Sequence, residues 1–300
     1  MEFLRFQTAE PLFVPSLFKT VFVPSSQFCH AHAPLSDKTF ERLCFPLAEH
    51  AAHVSFSLAS PLPGSCAVKQ VHSATVLDAA GDLSSEPADG LFFVHEKNSS
   101  RKILSIRTAD CLPVVLVAHV GEVTFGALVH AGWRGFAQGI HLHALELLVQ
   151  QAELRGIKQG DFLPLVKLFL GPAIFGASYE CGEDVASALQ SHYAKRIAPL
   201  ATIQNAIELY RQCSNVALSN VSPVSAGSFR VDRVHPDLQL LACVDLASAG
   251  VLPSKMLVLR ENTWGSPILH SYRFASVHSG AKAARIVSHL VLGSSCHGVA

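Results

Sequence analysis

Two apolar runs, each of strand length and separated by a short polar turn, dominate the middle of this 300-residue chain. Leu112-Pro113-Val114-Val115-Leu116-Val117-Ala118 comes first, and Val123-Thr124-Phe125-Gly126-Ala127-Leu128-Val129 follows Val120-Gly121-Glu122. Runs of this kind, rich in β-branched residues and joined by a Gly-containing turn, form a hairpin. Folding it brings its outer ends together, and both ends are polar: Thr108-Ala109-Asp110-Cys111 and His130-Ala131-Gly132-Trp133-Arg134-Gly135. Cys111 and His130 are therefore expected to be neighbours at the rim of a buried sheet, beside Asp110, Trp133 and Arg134.

Other segments read more coarsely. Val68–Leu77, Ile103–Arg107, Val166–Leu170 and Lys255–Arg260 have strand character. After Gly135 the period becomes helical, with Phe136, Ile140, Ala144, Leu147 and Leu148 on one face and Arg155-Gly156 as a stop. Further helices are expected near Ser36–Ala52, over Glu183–Tyr193 and Asp237–Ala249, and at the C-terminus over Val277–Leu292. Strand-like stretches occur at Thr20–Val23 and Val54–Leu58. Strands and helices alternate irregularly around a hairpin, which predicts an α/β (α+β) fold of layered mixed sheets flanked by helices. With no internal repeat or linker, residues 1–300 read as a single domain.

Composition narrows the function classes. Apolar residues make up 49% and charged residues only 15%, as in a well-buried globular protein. Lys+Arg and Asp+Glu balance at 23 each, so no field for nucleic acid or an anionic membrane exists. The eight cysteines are scattered without a C-x-x-C pair, which fits reduced thiols in a cytoplasmic protein. No signal-peptide pattern and no membrane span are read from the sequence. The oligomeric state stays open, and a monomer suffices.

A third residue joins the hairpin ends: His72, in Lys69-Gln70-Val71-His72. A thiolate with two imidazoles suits zinc, and three protein ligands leave a fourth position for water or substrate. Asp110 and Gln70 are candidates for orienting the ligands. Spacing alone equally allows a plainer arrangement among sixteen histidines, with His72 and His130 as hydrogen-bonded sheet-end residues and Cys111 as a small hydrophobe. Arg134, at a helix start, is a candidate anion site, and Arg273 in Ser271-Tyr272-Arg273 is another. Asp110 can serve as a base or cap a turn, whereas Asp89-Gly90 reads as a turn.

The wording of these segments resembles a known family. Gln70-Val71-His72, Ala88-Asp89-Gly90, Thr108-Ala109-Asp110-Cys111-Leu112-Pro113-Val114 and His130-Ala131-Gly132-Trp133-Arg134-Gly135 are similar to the signature of laccase-domain proteins. That family was first labelled multicopper polyphenol oxidases and is now regarded as zinc-dependent purine nucleoside phosphorylases. Gly171-Pro172-Ala173-Ile174, Tyr179-Glu180-Cys181-Gly182-Glu183-Asp184-Val185 and Ser271-Tyr272-Arg273 continue the likeness, which covers residues 68–290. Residues 1–66 diverge from it, Phe175-Gly176-Ala177 replaces the usual Gly-Pro-Cys, and Asn262-Thr263-Trp264 replaces Cys-Thr-Tyr.

The resemblance implies that His72, Cys111 and His130 bind Zn²⁺. It implies phosphorolysis of adenosine, inosine and methylthioadenosine to base and sugar 1-phosphate, with adenosine deamination as a side activity. The fold it implies is shared with the cytotoxic-necrotizing-factor-like cysteine hydrolases. Cys111, His130 and Asp110 are then the catalytic candidates, and Arg134 and Arg273 the substrate-binding ones.

Two other chemistries use the same residues. A metal-free cysteine hydrolase would use Cys111 as nucleophile and His130 as base. A copper oxidase needs His-x-His pairs, of which the chain has His30-Ala31-His32 and His141-Leu142-His143. Residues two apart on a helix point in different directions, so the second pair cannot chelate one cluster. A lone Cys-His-His site would still take copper in vitro.

Overall fold

The computed structural model describes residues 22–23, 44–48, 51–58, 60–175, 178–196, 236–266, 268–278 and 284–293. The hairpin forms as β7 (Leu112–Val120) and β8 (Val123–Ala131), turning at Gly121 with φ of 60°. It is the centre of a seven-stranded mixed sheet. On one side β8 pairs antiparallel with β5 (Gly90–Glu96), which carries β4 (Val76–Asp78) in parallel. On the other, β7 pairs antiparallel with β9 (Lys167–Leu170), followed in parallel by β10 (Met256–Leu259) and β1 (Phe22–Val23). A second, antiparallel sheet runs in the order β2 (Cys44–Ala48), β3 (Ala52–Ser57), β11 (Ile286–Leu292), β6 (Lys102–Thr108).

Strand alternation explains why the hairpin is apolar throughout. Leu112, Val114 and Leu116 point to a core shared with the helices, whereas Val115 and Val117 point to a core between the two sheets. Burying one such side chain is worth about 1.5–3 kcal/mol, so covering both faces holds these strands firmly in place. Gly126 lets the sheets approach, since a Cβ there would lie 2.9 Å from Leu292 Cδ2.

Six helices complete the described residues. The helical stretch expected after Gly135 is two helices, α1 (Trp133–Ala137) and α2 (Ile140–Glu153), broken where Gly139 takes a φ of 81°. Along α2, Ile140, Ala144, Leu148 and Ala152 are fully buried, as their spacing requires. α3 (Gln159–Phe162), α4 (Glu183–Arg196), α5 (Leu238–Ser248) and α6 (Tyr272–His278) follow. The Asp237 side chain caps α5 by accepting from Leu240 N at 3.2 Å. No helix among the described residues is long and apolar enough to cross a membrane.

Three expectations are corrected. The helix placed near Ser36–Ala52 is, in its described part, β2 turning into β3. Pro46 opposes a helix interior there, and it is tolerated because β2 is a sheet edge. The helix placed over Val277–Leu292 is the end of α6 and then β11, all of whose residues are buried. A strand covered on both faces loses the alternation that would identify it. Val68–Leu77 is mostly loop, because His72 takes a φ of 62° and strand geometry begins only at Val76. The mixed α+β class with two sheets and flanking helices stands.

Candidate metal centre

Register dictates the site. Pro113 lies opposite His130 in the hairpin, so Cys111, two residues earlier, reaches the same rim. The donor atoms of His72, Cys111 and His130 lie within 4.8 Å of one another. Cys111 Sγ is 3.9 Å from His72 Nε2, and the two imidazole centroids are 4.8 Å apart. Burial is graded across the trio: His130 is buried, Cys111 half-buried and His72 exposed. The cluster therefore has a closed side and an open side.

The organiser of this rim is Asp89. Gly90 pairs with Val129, which sets Asp89 across from His130 on the adjacent strand, and His130 N donates to Asp89 O at 2.7 Å. The Asp89 carboxylate then meets His130 Nδ1 at 2.8 Å through Oδ1. Through Oδ2 it accepts from Val71 N at 3.2 Å, Ser73 N at 2.6 Å and Ser73 Oγ at 2.9 Å. One carboxylate thus fixes a ligand imidazole from behind, leaving Nε2 towards the cluster, and clamps the loop that presents His72. Asp89 is fully buried. Burial opposes its ionisation, but the bonds from His130 and Ser73 win and hold it down at about 2.

Sequence reading took Asp89-Gly90 for a turn and looked instead to Asp110 and Gln70. Asp110 commits both oxygens elsewhere, accepting from Thr263 Oγ1 at 2.6 Å and Arg273 N at 2.8 Å. Its φ is 101°, in the left-handed region that a non-glycine residue adopts only under restraint. Asp110 therefore anchors the turn that aims Cys111, with both carboxylate oxygens spent on Thr263 and Arg273. Gln70 bridges to the Arg107 backbone, accepting from its N and donating to its O, both at 2.8 Å. The missed strand β5 was the signal for Asp89: a carboxylate preceding Leu91-Phe92-Phe93-Val94 sits at a sheet rim.

Electrostatics favour a charged pair. Burial pushes the Cys111 thiol up, but bonds with His130 and His72 outweigh it and bring it down to about 7. Burial pushes His130 down, while Asp89 and Cys111 more than restore its proton and raise it to about 9. Nearby, burial and the Cys181 and Cys111 thiols raise the Tyr179 phenol, which stays protonated.

The two anion candidates differ. Arg134 is exposed and lies over the Trp133 ring, 4.2 Å from its centroid. The helix it sits on has only five residues, so Arg134, not a helix dipole, supplies the positive charge there. Arg273 is half-buried, donates to Glu180 O and stands 5.2 Å from the Tyr179 ring centroid.

A metal ion fits this donor set. Two imidazole nitrogens and a thiol sulfur of lowered pKa are what zinc or a late transition metal takes. Gly132 leaves the space, because a Cβ there would lie 2.8 Å from His72 Cδ2 and 3.1 Å from Cys111 Sγ. The two members of the His-x-His pair on α2 meet different partners, His141 with Asp245 Oδ2 at 2.8 Å and His143 with Ala74 O at 3.1 Å, so the pair does not converge on one ion. The other pair, His30 and His32, lies outside the described residues.

The chain is similar to known proteins in sequence and in fold. Residues 48–289 match the family described as multi-copper polyphenol oxidoreductase laccase. Purine nucleoside phosphorylase YfiH of Shigella flexneri is 31% identical over 132 residues, 44% of this chain and 47% of that protein. The match thus spans about half the length of that relative. A purine nucleoside phosphorylase of Deinococcus radiodurans is 29% identical over 185 residues, 60% of this chain and 64% of that one. Among solved structures, YlmD from Geobacillus stearothermophilus superposes with a TM-score of 0.56 at 19% identity, covering 82% of this chain and 93% of its own. Bacillus licheniformis YfiH gives 0.53 at 20% identity over 76% and 73%. Those two likenesses speak for the fold. The family match over most of its length decides the relationship: the chain belongs to the multi-copper polyphenol oxidoreductase laccase family.

Proposed function

We propose that the protein is a zinc-dependent purine nucleoside phosphorylase, converting adenosine, inosine or methylthioadenosine and phosphate to base and sugar 1-phosphate. The observation that carries this reading is the convergence of His72, Cys111 and His130 on one open-sided point, with Asp89 bonded to His130 Nδ1. Those three residues would hold Zn²⁺, which supplies Lewis-acid polarisation of an oxygen when bound. The names of the curated relatives support the choice of reaction.

The chain's own residues have separable tasks. Asp89 keeps His130 in one orientation, and Asp110 with Thr263 holds the Cys111 turn. Arg134, exposed beside the cluster, receives phosphate, and Arg273 braces the Tyr179–Glu180 segment against it. Adenosine deamination as a side activity belongs to the same proposal, and copper would occupy the same donors in vitro.

A second reading draws on the lowered Cys111 thiol and raised His130: a thiolate–imidazolium pair acting without metal as a cysteine hydrolase, as in the cytotoxic-necrotizing-factor-like fold. One experiment separates the two. Zinc-loaded full chain is given inosine or adenosine with phosphate, and sugar 1-phosphate is assayed beside metal content. Product that disappears on chelation supports the phosphorylase. No sugar 1-phosphate from zinc-loaded protein overturns it, and Cys111 alkylation by iodoacetamide in metal-free protein favours the hydrolase.

A further inference from the structure

A second group of metal-type donors lies within the helical layer. His141 of α2, His192 of α4 and Asp245 of α5 bring their donor atoms within 4.8 Å of one another. His141 Nε2 is 2.8 Å and His192 Nε2 2.9 Å from the same atom, Asp245 Oδ2. All three residues are buried, and the ring of fully buried Phe136 stacks on His141 at 4.3 Å and 19°.

The convergence of the donors argues for an ion at this point. Donors from three helices, distant in sequence, aim at one spot, whereas hydrogen bonding alone would be served by spreading the imidazoles over both carboxylate oxygens.

We propose that His141, His192 and Asp245 form a second metal site, taking a divalent transition ion such as Zn²⁺ or Fe²⁺ through two imidazole nitrogens and a carboxylate. Among the described residues it has no sulfur donor, which separates it chemically from the His72–Cys111–His130 centre. All three donors are buried, so the ion ties α2, α4 and α5 together, with a water in the coordination position that three protein ligands leave. Phe136, which stacks on His141, belongs to a helix that begins three residues after His130.

The test isolates this site by removing the other one. The full-length double variant His72→Ala/Cys111→Ser is purified without an affinity tag, dialysed against Co²⁺ or Zn²⁺, and its metal content is measured. The expected result is about one equivalent retained, with Co²⁺ giving ligand-field bands but no sulfur charge-transfer band. Adding Asp245→Asn should abolish that equivalent. Should the triple variant fail to fold, X-ray absorption of the double variant decides, by showing a shell of two imidazoles and carboxylate oxygen. A double variant without bound metal, metal surviving Asp245→Asn, or a shell lacking two imidazoles overturns the proposal and leaves a hydrogen-bonded His–Asp–His brace.

Discussion

The described residues hold two imidazole clusters, and these differ in where the carboxylate stands. At the sheet rim Asp89 lies outside the cluster, on His130 Nδ1, so the other ring nitrogen is left to face Cys111 and His72. In the helical layer Asp245 lies inside, receiving both imidazoles on one oxygen. The rim cluster grades from buried His130 to exposed His72 and is fed by two loops with left-handed residues, His72 and Asp110. The inner cluster is carried wholly by regular helices and has no open side. An outer carboxylate with an open face prepares a centre to meet substrate, whereas an inner carboxylate with a closed face prepares a brace.

Exchanging the damage between them gives the largest effects. Cys111→Ser should abolish sugar 1-phosphate formation while moving the denaturation midpoint little, because Cys111 is half-buried at a rim. Asp245→Asn should cost on the order of 3–5 kcal/mol in urea unfolding, as breaking a buried charged group's bonds does, while residual folded protein keeps its activity. Equal losses of activity in both variants would break the distinction between centre and brace.

Asp89→Asn comes next. An amide accepts on one side only, so either the His130 Nδ1 donor or the Val71 and Ser73 donors lose their acceptor. Metal affinity, read by competition with a chromophoric chelator, should fall about 10–100-fold. Asp89 is depressed to about 2, so its contribution to stability is present above the ordinary carboxylate value and lost only as pH falls towards about 2. The variant's deficit should therefore be constant across neutral pH. A deficit that grows between neutral and alkaline pH would point to Cys111 and His130 instead.

How much of this was legible beforehand differs between the same two regions. The hairpin declares itself by two runs and a turn, and it places Cys111 and His130 without further help. His72 carries its own motif. Asp89 precedes a strand-like run that marks it as a rim residue, but its partnership with His130 comes from register with β8, a long-range pairing. Thr263, whose hydroxyl holds Asp110, was visible only as part of an altered motif. The inner cluster was half visible, as a His-x-His pair on a helix, but Asp245 and His192 meet His141 only after three helices pack. β11 was misread as helix because a strand buried along its whole length shows no alternation.

Two glycines sharpen the contrast at a smaller scale. Gly132→Ala would set a methyl 2.8 Å from His72 Cδ2 and 3.1 Å from Cys111 Sγ, so activity and metal affinity should drop with little change in stability. Gly126→Ala meets Leu292 Cδ2 at 2.9 Å and Leu290 Cδ2 at 3.0 Å between the sheets. It should cost about 1–3 kcal/mol of stability and leave the steady-state rate per folded molecule intact. A stable Gly132→Ala protein with normal metal binding would show that the loops around His72 yield more easily than their hydrogen bonds suggest.

The smallest effect comes from a histidine that has no carboxylate in either position. His289, buried in β11, meets Ser105 Oγ at 2.7 Å through Nδ1 and Ser57 Oγ at 3.2 Å through Nε2. Burial alone pushes it down to about 4. Its neutral form is the folded one, so its contribution is complete above the ordinary value of 6.5 and is lost as pH falls from there towards about 4. His130 runs the other way, since its raised value means stability lost as pH rises through about 9, so it does not mask the acid limb. At about pH 5.5, wild type should have lost on the order of 1 kcal/mol relative to His289→Gln, measured as the difference between their urea midpoints at neutral and acid pH. Parallel curves would mean that the two hydroxyls accommodate an imidazolium, and that a carboxylate is not what separates the histidines this fold lets charge from the one it keeps neutral.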